Sequence, residues 1–193
     1  MEAVSIVLAT LALAVSVVTA WLTLLRRGTL RMTQPAMIAL GTDRGGIQKT
    51  WLRMLLYSTG KRGQLVENMF LKVRHGESVQ NLNLWVCGET VDELLRGSGL
   101  FVPENGVALF HHFLPPPETK FEFFPGEYRF ETYASVVGRG NPLLLNSVDL
   151  RLSAEEAAAI KAGDGVYFDW GPDSRKYHPR VEKKPEPRIP GLR

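Results

Sequence analysis

Residues 125–136, Pro125-Gly126-Glu127-Tyr128-Arg129-Phe130-Glu131-Thr132-Tyr133-Ala134-Ser135-Val136, carry the clearest alternation in the chain. Tyr128, Phe130, Thr132, Ala134 and Val136 share one parity; Glu127, Arg129, Glu131 and Tyr133 share the other. Successive side chains of a strand point to opposite faces, so this pattern predicts a half-buried antiparallel strand. Pro125-Gly126 suits the central positions of a type II turn ahead of it.

The same period of two recurs on both sides, from about residue 32 to residue 152. Leu52, Met54 and Leu56 alternate with Arg53 and Leu55, and Met69, Leu71 and Val73 with Phe70 and Lys72. Leu82, Leu84 and Val86 read as one apolar face, opposite Asn83, Trp85 and Cys87. Val107, Leu109, His111 and Phe113, then Phe121 and Phe123, then Val148, Leu150 and Leu152 continue the series. Gly60-Lys61-Arg62-Gly63 and Gly138-Arg139-Gly140-Asn141-Pro142 punctuate it, and Asn105-Gly106 predicts a type I′ hairpin with positive φ at both positions. Eight or nine short strands at this spacing predict a β-sandwich.

Beyond the strands, Ser153-Ala154-Glu155-Glu156 is a capping box opening a short helix, with Gly163 placed to close it. An aromatic cluster follows at Val166-Tyr167-Phe168-Asp169-Trp170, expected to pack back on the sandwich. After Tyr177 the chain turns proline-rich and basic, the composition of an extended tail. The predicted organisation is thus 1–31 anchor and basic flank, 32–178 sandwich with its helix and aromatic extension, and 179–193 tail.

Ala3 to Leu25 hold 23 consecutive uncharged positions. At 1.5 Å per residue these reach about 34 Å, against a bilayer core of about 30 Å. Trp21 sits where an interfacial aromatic belongs, and Arg26, Arg27 and Arg31 follow as a basic flank. A cleaved signal would carry a basic start and a shorter apolar core, whereas only Glu2 precedes this run. Residues 3–25 are therefore expected to anchor the chain in a lipid bilayer as a single span of the inner membrane. Arginines on the C-terminal side alone favour a cytoplasmic domain, with an extracytoplasmic domain as the alternative.

Taken together, the anchor, the turn-and-strand Pro125-Gly126-Glu127-Tyr128-Arg129-Phe130, Ser58-Thr59-Gly60-Lys61-Arg62-Gly63 and Val66-Glu67-Asn68 resemble uncharacterised bacterial single-span membrane proteins with an immunoglobulin-like β-sandwich domain. Tyr128 would then be the corner tyrosine. The partner cysteines and core tryptophan of antibody domains are not recognisable in this pattern. The resemblance implies a fold and brings no catalytic residue with it.

Composition narrows the function classes. The net charge of +3 divides into positive groups at the span exit and chain end around a mildly acidic middle, which gives no reason to expect a nucleic-acid partner. A lone Cys87 excludes an intramolecular disulfide framework. His111 and His112 are adjacent, so a strand would send them to opposite faces and away from a common metal. Gly97-Ser98-Gly99 lacks the lysine of a phosphate loop, and no Gly-x-Ser-x-Gly elbow occurs. No cofactor, metal or catalytic residue is expected.

Asp169, Trp170, Asp173 and His178 form the candidate binding surface, since two carboxylates beside an aromatic could hold a cation or a polar ligand. The expected role is a membrane-anchored binding or scaffolding module with an unknown protein partner. The alternatives are a hydrolase-type or metal-dependent enzyme built on Asp169 and Asp173, and an accessory subunit of a membrane complex. The last would pack Ala9, Ala12, Ser16 and Ala20 on other helices. No pattern in the chain specifies an oligomeric state.

Overall fold

A computed structural model describes residues 2–25, 28–43, 45–90 and 94–183. Helix α1 (Glu2–Ala20) continues through a π-helical turn at Trp21–Leu25. Its apolar segment Glu2–Thr23 has a mean hydropathy of 2.4 and none of it is buried against the rest of the chain. It is long and apolar enough to cross a bilayer, and it is no core helix. Thr10 and Ser16 donate their hydroxyls to the carbonyls four residues back, so these polar side chains are satisfied within the helix.

The remainder is mainly β. In chain order the strands are β1 (Leu30–Met32), β2 (Met37–Thr42), β3 (Gln48–Ser58), β4 (Gln64–His75), β5 (Ser78–Leu82), β6 (Leu84–Gly88) and β7 (Leu95–Arg96). Then come β8 (Leu100–Val102), β9 (Val107–Leu114), β10 (Gly126–Val136), β11 (Leu143–Leu152), helix α2 (Ala154–Ala162), β12 (Gly165–Gly171) and β13 (Lys176–Glu182). All the pairings are antiparallel. The larger sheet runs β13-β12-β2-β3-β9-β6-β7, with β1 also on β3; the smaller runs β11-β10-β4-β5, with β8 also on β4. One apolar core draws on both sheets and on α2.

The alternation in residues 128–136 is realised as read. Tyr128, Phe130, Thr132, Ala134 and Val136 are all buried in β10, between β4 and β11. On the outer face Arg129 lies opposite Asp149 and binds its carboxylate with two hydrogen bonds, at 2.7 and 3.2 Å. The Tyr128 hydroxyl donates to the Phe124 carbonyl at 2.9 Å and accepts from the Phe124 amide at 2.8 Å. It thereby ties the entry of β10 to the strand itself. Tyr128→Phe is expected to cost about 1 to 2 kcal/mol, because both Phe124 groups lose their partner. Equilibrium denaturation of the full-length protein measures it; an unchanged midpoint would show the bond to be idle.

Several expectations need correction. Leu82 and Val86 do not share a strand, because β5 belongs to the smaller sheet and β6 to the larger. The chain crosses between sheets at Asn83, which resets the parity. Trp85 therefore points into the core at 2% exposure, and Cys87 packs against the core instead of facing outward. Burial pushes the Cys87 thiol up, away from the reactive thiolate form.

Asn105-Gly106 is no hairpin either, since β8 and β9 lie in different sheets. Arg175 is the one non-glycine residue with positive φ among those described, so Asn105 does not adopt the type I′ geometry. Gly106 alone takes positive φ, and its amide closes a turn on the Pro103 carbonyl.

At the chain end, the capping box forms as written: the Glu156 amide donates to Ser153, and the Ser153 amide to Glu156. Gly163 adopts the left-handed conformation that ends α2. The aromatic cluster packs back, as anticipated, but as a strand: β12 pairs with β2 and buries Val166 and Phe168. The expected tail begins later than composition suggests. Pro179, Arg180, Val181 and Glu182 belong to edge strand β13, where proline is tolerated because one side needs no donor. Residues 184–193 lie outside the described residues.

Candidate functional site: the outer face of the larger sheet

The predicted site residues sit on the β12–β13 hairpin. Asp169 and His178 are directly opposed across it, and Trp170 is opposed to Tyr177. Asp173 lies exposed in the connecting turn, where Arg175 takes a φ of 52°. The carboxylate of Asp169 is engaged by Arg180 at 2.7 Å, and the His178 ring contacts the Ser174 hydroxyl at 2.9 Å. No hydrogen bond joins Asp173 to either Asp169 or His178 among the described residues. Trp170 does not stand free: its ring packs on Tyr177 at 5.0 Å. The Tyr177 hydroxyl in turn donates to the Pro35 carbonyl and accepts from Gln34. Burial raises the Tyr177 pKa. The four residues thus share one hairpin without converging on one point.

Of the membrane-flank residues, Trp21 lies in the π-helical turn and is exposed. Arg26 and Arg27 lie outside the described residues. Arg31 is in β1, opposite Tyr57, so the β domain begins within the expected flank.

A larger feature lies on the same face. Val86, His112, Trp51, Ala39, Tyr167 and Arg180 are successive cross-strand partners, forming one row over six strands of the larger sheet. The next row brings Phe110, Arg53, Met37, Asp169 and His178. Their strand neighbours Leu52, Ile38, Val166 and Phe168 are buried in the core, which places these residues on the opposite, outer face. The outer face of an antiparallel sheet is ordinarily polar; this one carries rings.

Trp51 stacks on His112 with ring centres 5.7 Å apart, and meets Tyr167 edge-on at 5.7 Å. Cations cover the rings. Lys49 lies 5.3 Å from the Trp51 centre, Arg53 lies 5.1 Å from Phe110, and Arg180 lies 4.3 Å from Tyr167. Arg180 is held in place by Asp169 and by Glu182 at 2.9 Å. Burial lowers the Lys49 pKa, with Asp43 opposing the shift. Burial likewise raises that of Tyr167, with the Glu182 carboxylate adding to it.

The two adjacent histidines of β9 point to opposite faces. His111 faces the core, stacks on Trp85, and accepts a 3.0 Å hydrogen bond from the indole Nε1. His112 is 1% exposed beneath Trp51, and neither of its ring nitrogens has a partner. Among the described residues, no three His, Cys, Asp or Glu side chains are grouped to hold a metal.

Sequence reading singled out the hairpin and missed Trp51, Lys49, Arg53, Tyr167 and Arg180. The available signal was an aromatic residue at the outward parity of two strands that pair only through β2. Together the fold and this face define a mainly β domain behind an apolar helix long enough to span a bilayer. Ala39, Trp51 and His112 are buried within this row, so what it presents to solvent is the half-buried Tyr167 and Phe110 rings capped by exposed Arg180 and Arg53. No protein-family model matches the chain, and no curated protein or solved structure is significantly similar to it.

Proposed function

We propose that this protein is a membrane-anchored binding or scaffolding module. The helix holds the domain at the inner membrane, with the domain on the cytoplasmic side, and the outer face of the larger sheet receives a protein partner. The observation that carries the reading is the half-buried Tyr167 ring under exposed Arg180, with Arg53 and Lys49 beside it, on a floor formed by the buried Trp51. Tyrosine and arginine are among the residue types that concentrate binding energy at protein interfaces. Rings held by neighbours, and an arginine held by two carboxylates as Arg180 is, lose little freedom on contact. The immunoglobulin-like form of the sandwich is part of the proposal, supported by the Tyr128 hydroxyl closed on Phe124 and by the buried Trp85.

Co-purification of the intact protein from its own membrane tests this. The wild type should bring down a stoichiometric protein, and a Tyr167→Ala, Arg180→Ala double variant of unchanged fold should lose it. Recovery of the wild type alone, or equal recovery by the double variant, would sink the proposal. A reporter fused to the C-terminus checks orientation, and a signal from outside the cytoplasm would reverse the placement.

A further inference from the structure

The end of the domain where the chain leaves the helix carries a second surface. Thr29 and Thr59 exchange hydrogen bonds of 2.8 and 3.0 Å, and the Gln64 side chain donates to the Gly28 carbonyl at 3.1 Å. The turn Thr59–Gly63 is therefore clamped to the first described residues of the domain. At Gly28 any side chain would collide with the Gly60 backbone, so the clamp is tight. Leu25, the last apolar position of the span, is four residues from Thr29, a reach of at most about 14 Å. Whatever the tilt of the helix, this turn cannot stand far from the headgroups.

Exposed apolar side chains gather at this end. Leu65 and Phe101 are cross-strand partners on β4 and β8, and the Val137 amide donates to the Leu65 carbonyl at 2.9 Å. Their strand neighbours Val66, Val102 and Val136 are buried, so Leu65, Phe101 and Val137 point outward. They are 40%, 56% and 56% exposed. Exposed Lys61 and Arg62 lie in the clamped turn, and exposed Arg139 lies two residues beyond Val137. The acidic groups nearby in the chain are Glu67 on β4 and Glu104 in the turn closed by Pro103, which leaves the cations in excess. Apolar side chains among basic ones are the composition that enters a bilayer interface and holds anionic headgroups.

We propose that this end of the domain rests on the bilayer, with Phe101, Leu65 and Val137 dipping into the interface and Lys61, Arg62 and Arg139 binding anionic lipid headgroups. The occupant is lipid, because the covalent tether holds this surface at the membrane and its charge is complementary to an acidic leaflet. The domain would then be oriented as well as anchored, with the outer face of the larger sheet directed along the membrane or away from it. This inference rests on helix α1 spanning the bilayer.

The test uses the full-length chain in nanodiscs, in a Cys87→Ser background, with an environment-sensitive fluorophore on one introduced cysteine. Phe101→Cys reports the proposed contact. Glu77→Cys, on the β4–β5 hairpin at the far end of β4, is the aqueous control, and Leu13→Cys reports the span. In phosphatidylglycerol-containing discs the label at 101 should be blue-shifted and shielded from iodide, while that at 77 stays open. Adding Lys61→Glu, Arg62→Glu and Arg139→Glu should return position 101 to the aqueous signal. Equal iodide access at 101 and 77 would overturn the proposal. So would shielding of 101 in native vesicles but not in pure lipid discs, because a protein would then be the cover. An iodide-accessible label at 13 would fail the span itself, which separates the two readings.

Discussion

Trp85→Ala is expected to destabilise the β domain by about 3 to 5 kcal/mol, the range for removing a buried aromatic from a packed core. Three contacts make Trp85 costly to lose. Its ring is 2% exposed between the sheets and stacks parallel to His111 at 5.9 Å. Its Nε1 donates to His111 Nδ1 at 3.0 Å, so truncation also strands a buried acceptor. Gly97 lies against the ring so closely that a Cβ would sit 2.2 Å from it, leaving no side chain to fill the hole. Typical domains hold only about 5 to 15 kcal/mol in total, so much of the stability would go. Trp85→Phe keeps most of the ring and loses the donor, and should cost less. Chemical denaturation of the full-length protein in nanodiscs reads both; a loss under about 1 kcal/mol for the alanine variant would show that the core refills.

Acid should destabilise the domain already above the usual carboxylate range. Burial, with His112 beside it, holds His111 down at about 3, and burial followed by Lys49 holds His112 at about 4. Both are bases whose folded pKa lies below the unfolded value of 6.5. The unfolded chain therefore binds more protons from about pH 7 down to about pH 4, and stability falls as pH falls through that window. At pH 5 the penalty is about 2 kcal/mol per histidine, at 1.36 kcal/mol per unit. The structural reason is plain at His111. A proton on Nδ1 would set two donors against each other where the Trp85 bond now lies.

The neighbouring thiol does not offset this: Cys87, opposite His111 in the sheet, is held neutral by burial. His112→Phe keeps a ring on Trp51 and removes a titrating group, so it should flatten the slope between pH 7 and pH 5. A midpoint independent of pH in the wild type, or an unchanged slope in that variant, would contradict the assignment.

How far the residues alone carry the reading differs from one segment to the next. Within β10 the pattern needs no correction, because one continuous strand keeps one parity from Tyr128 to Val136. The same rule misplaces Trp85, because a change of sheet at Asn83 breaks the count and nothing in Leu82-Asn83-Leu84 marks it. Capping at Ser153 is legible because all its partners lie within a few residues. Asn105-Gly106 misleads for the opposite reason: the strands on either side find partners far away in the sequence.

The sequence by itself determined an apolar helix long enough to cross a bilayer, the antiparallel β character, the capped helix and the inward facing of His111. Each of these depends on local period or on contacts between near neighbours, which a linear pattern records. Tertiary structure alone decided that Trp85 is core, that His112 is buried on the outer face, and that β13 extends into the expected tail. It also decided that Trp51, Tyr167 and Arg180 form one row. Trp51 and Tyr167 are more than a hundred residues apart, and only the pairing of β3 and β12 with β2 brings their rings together.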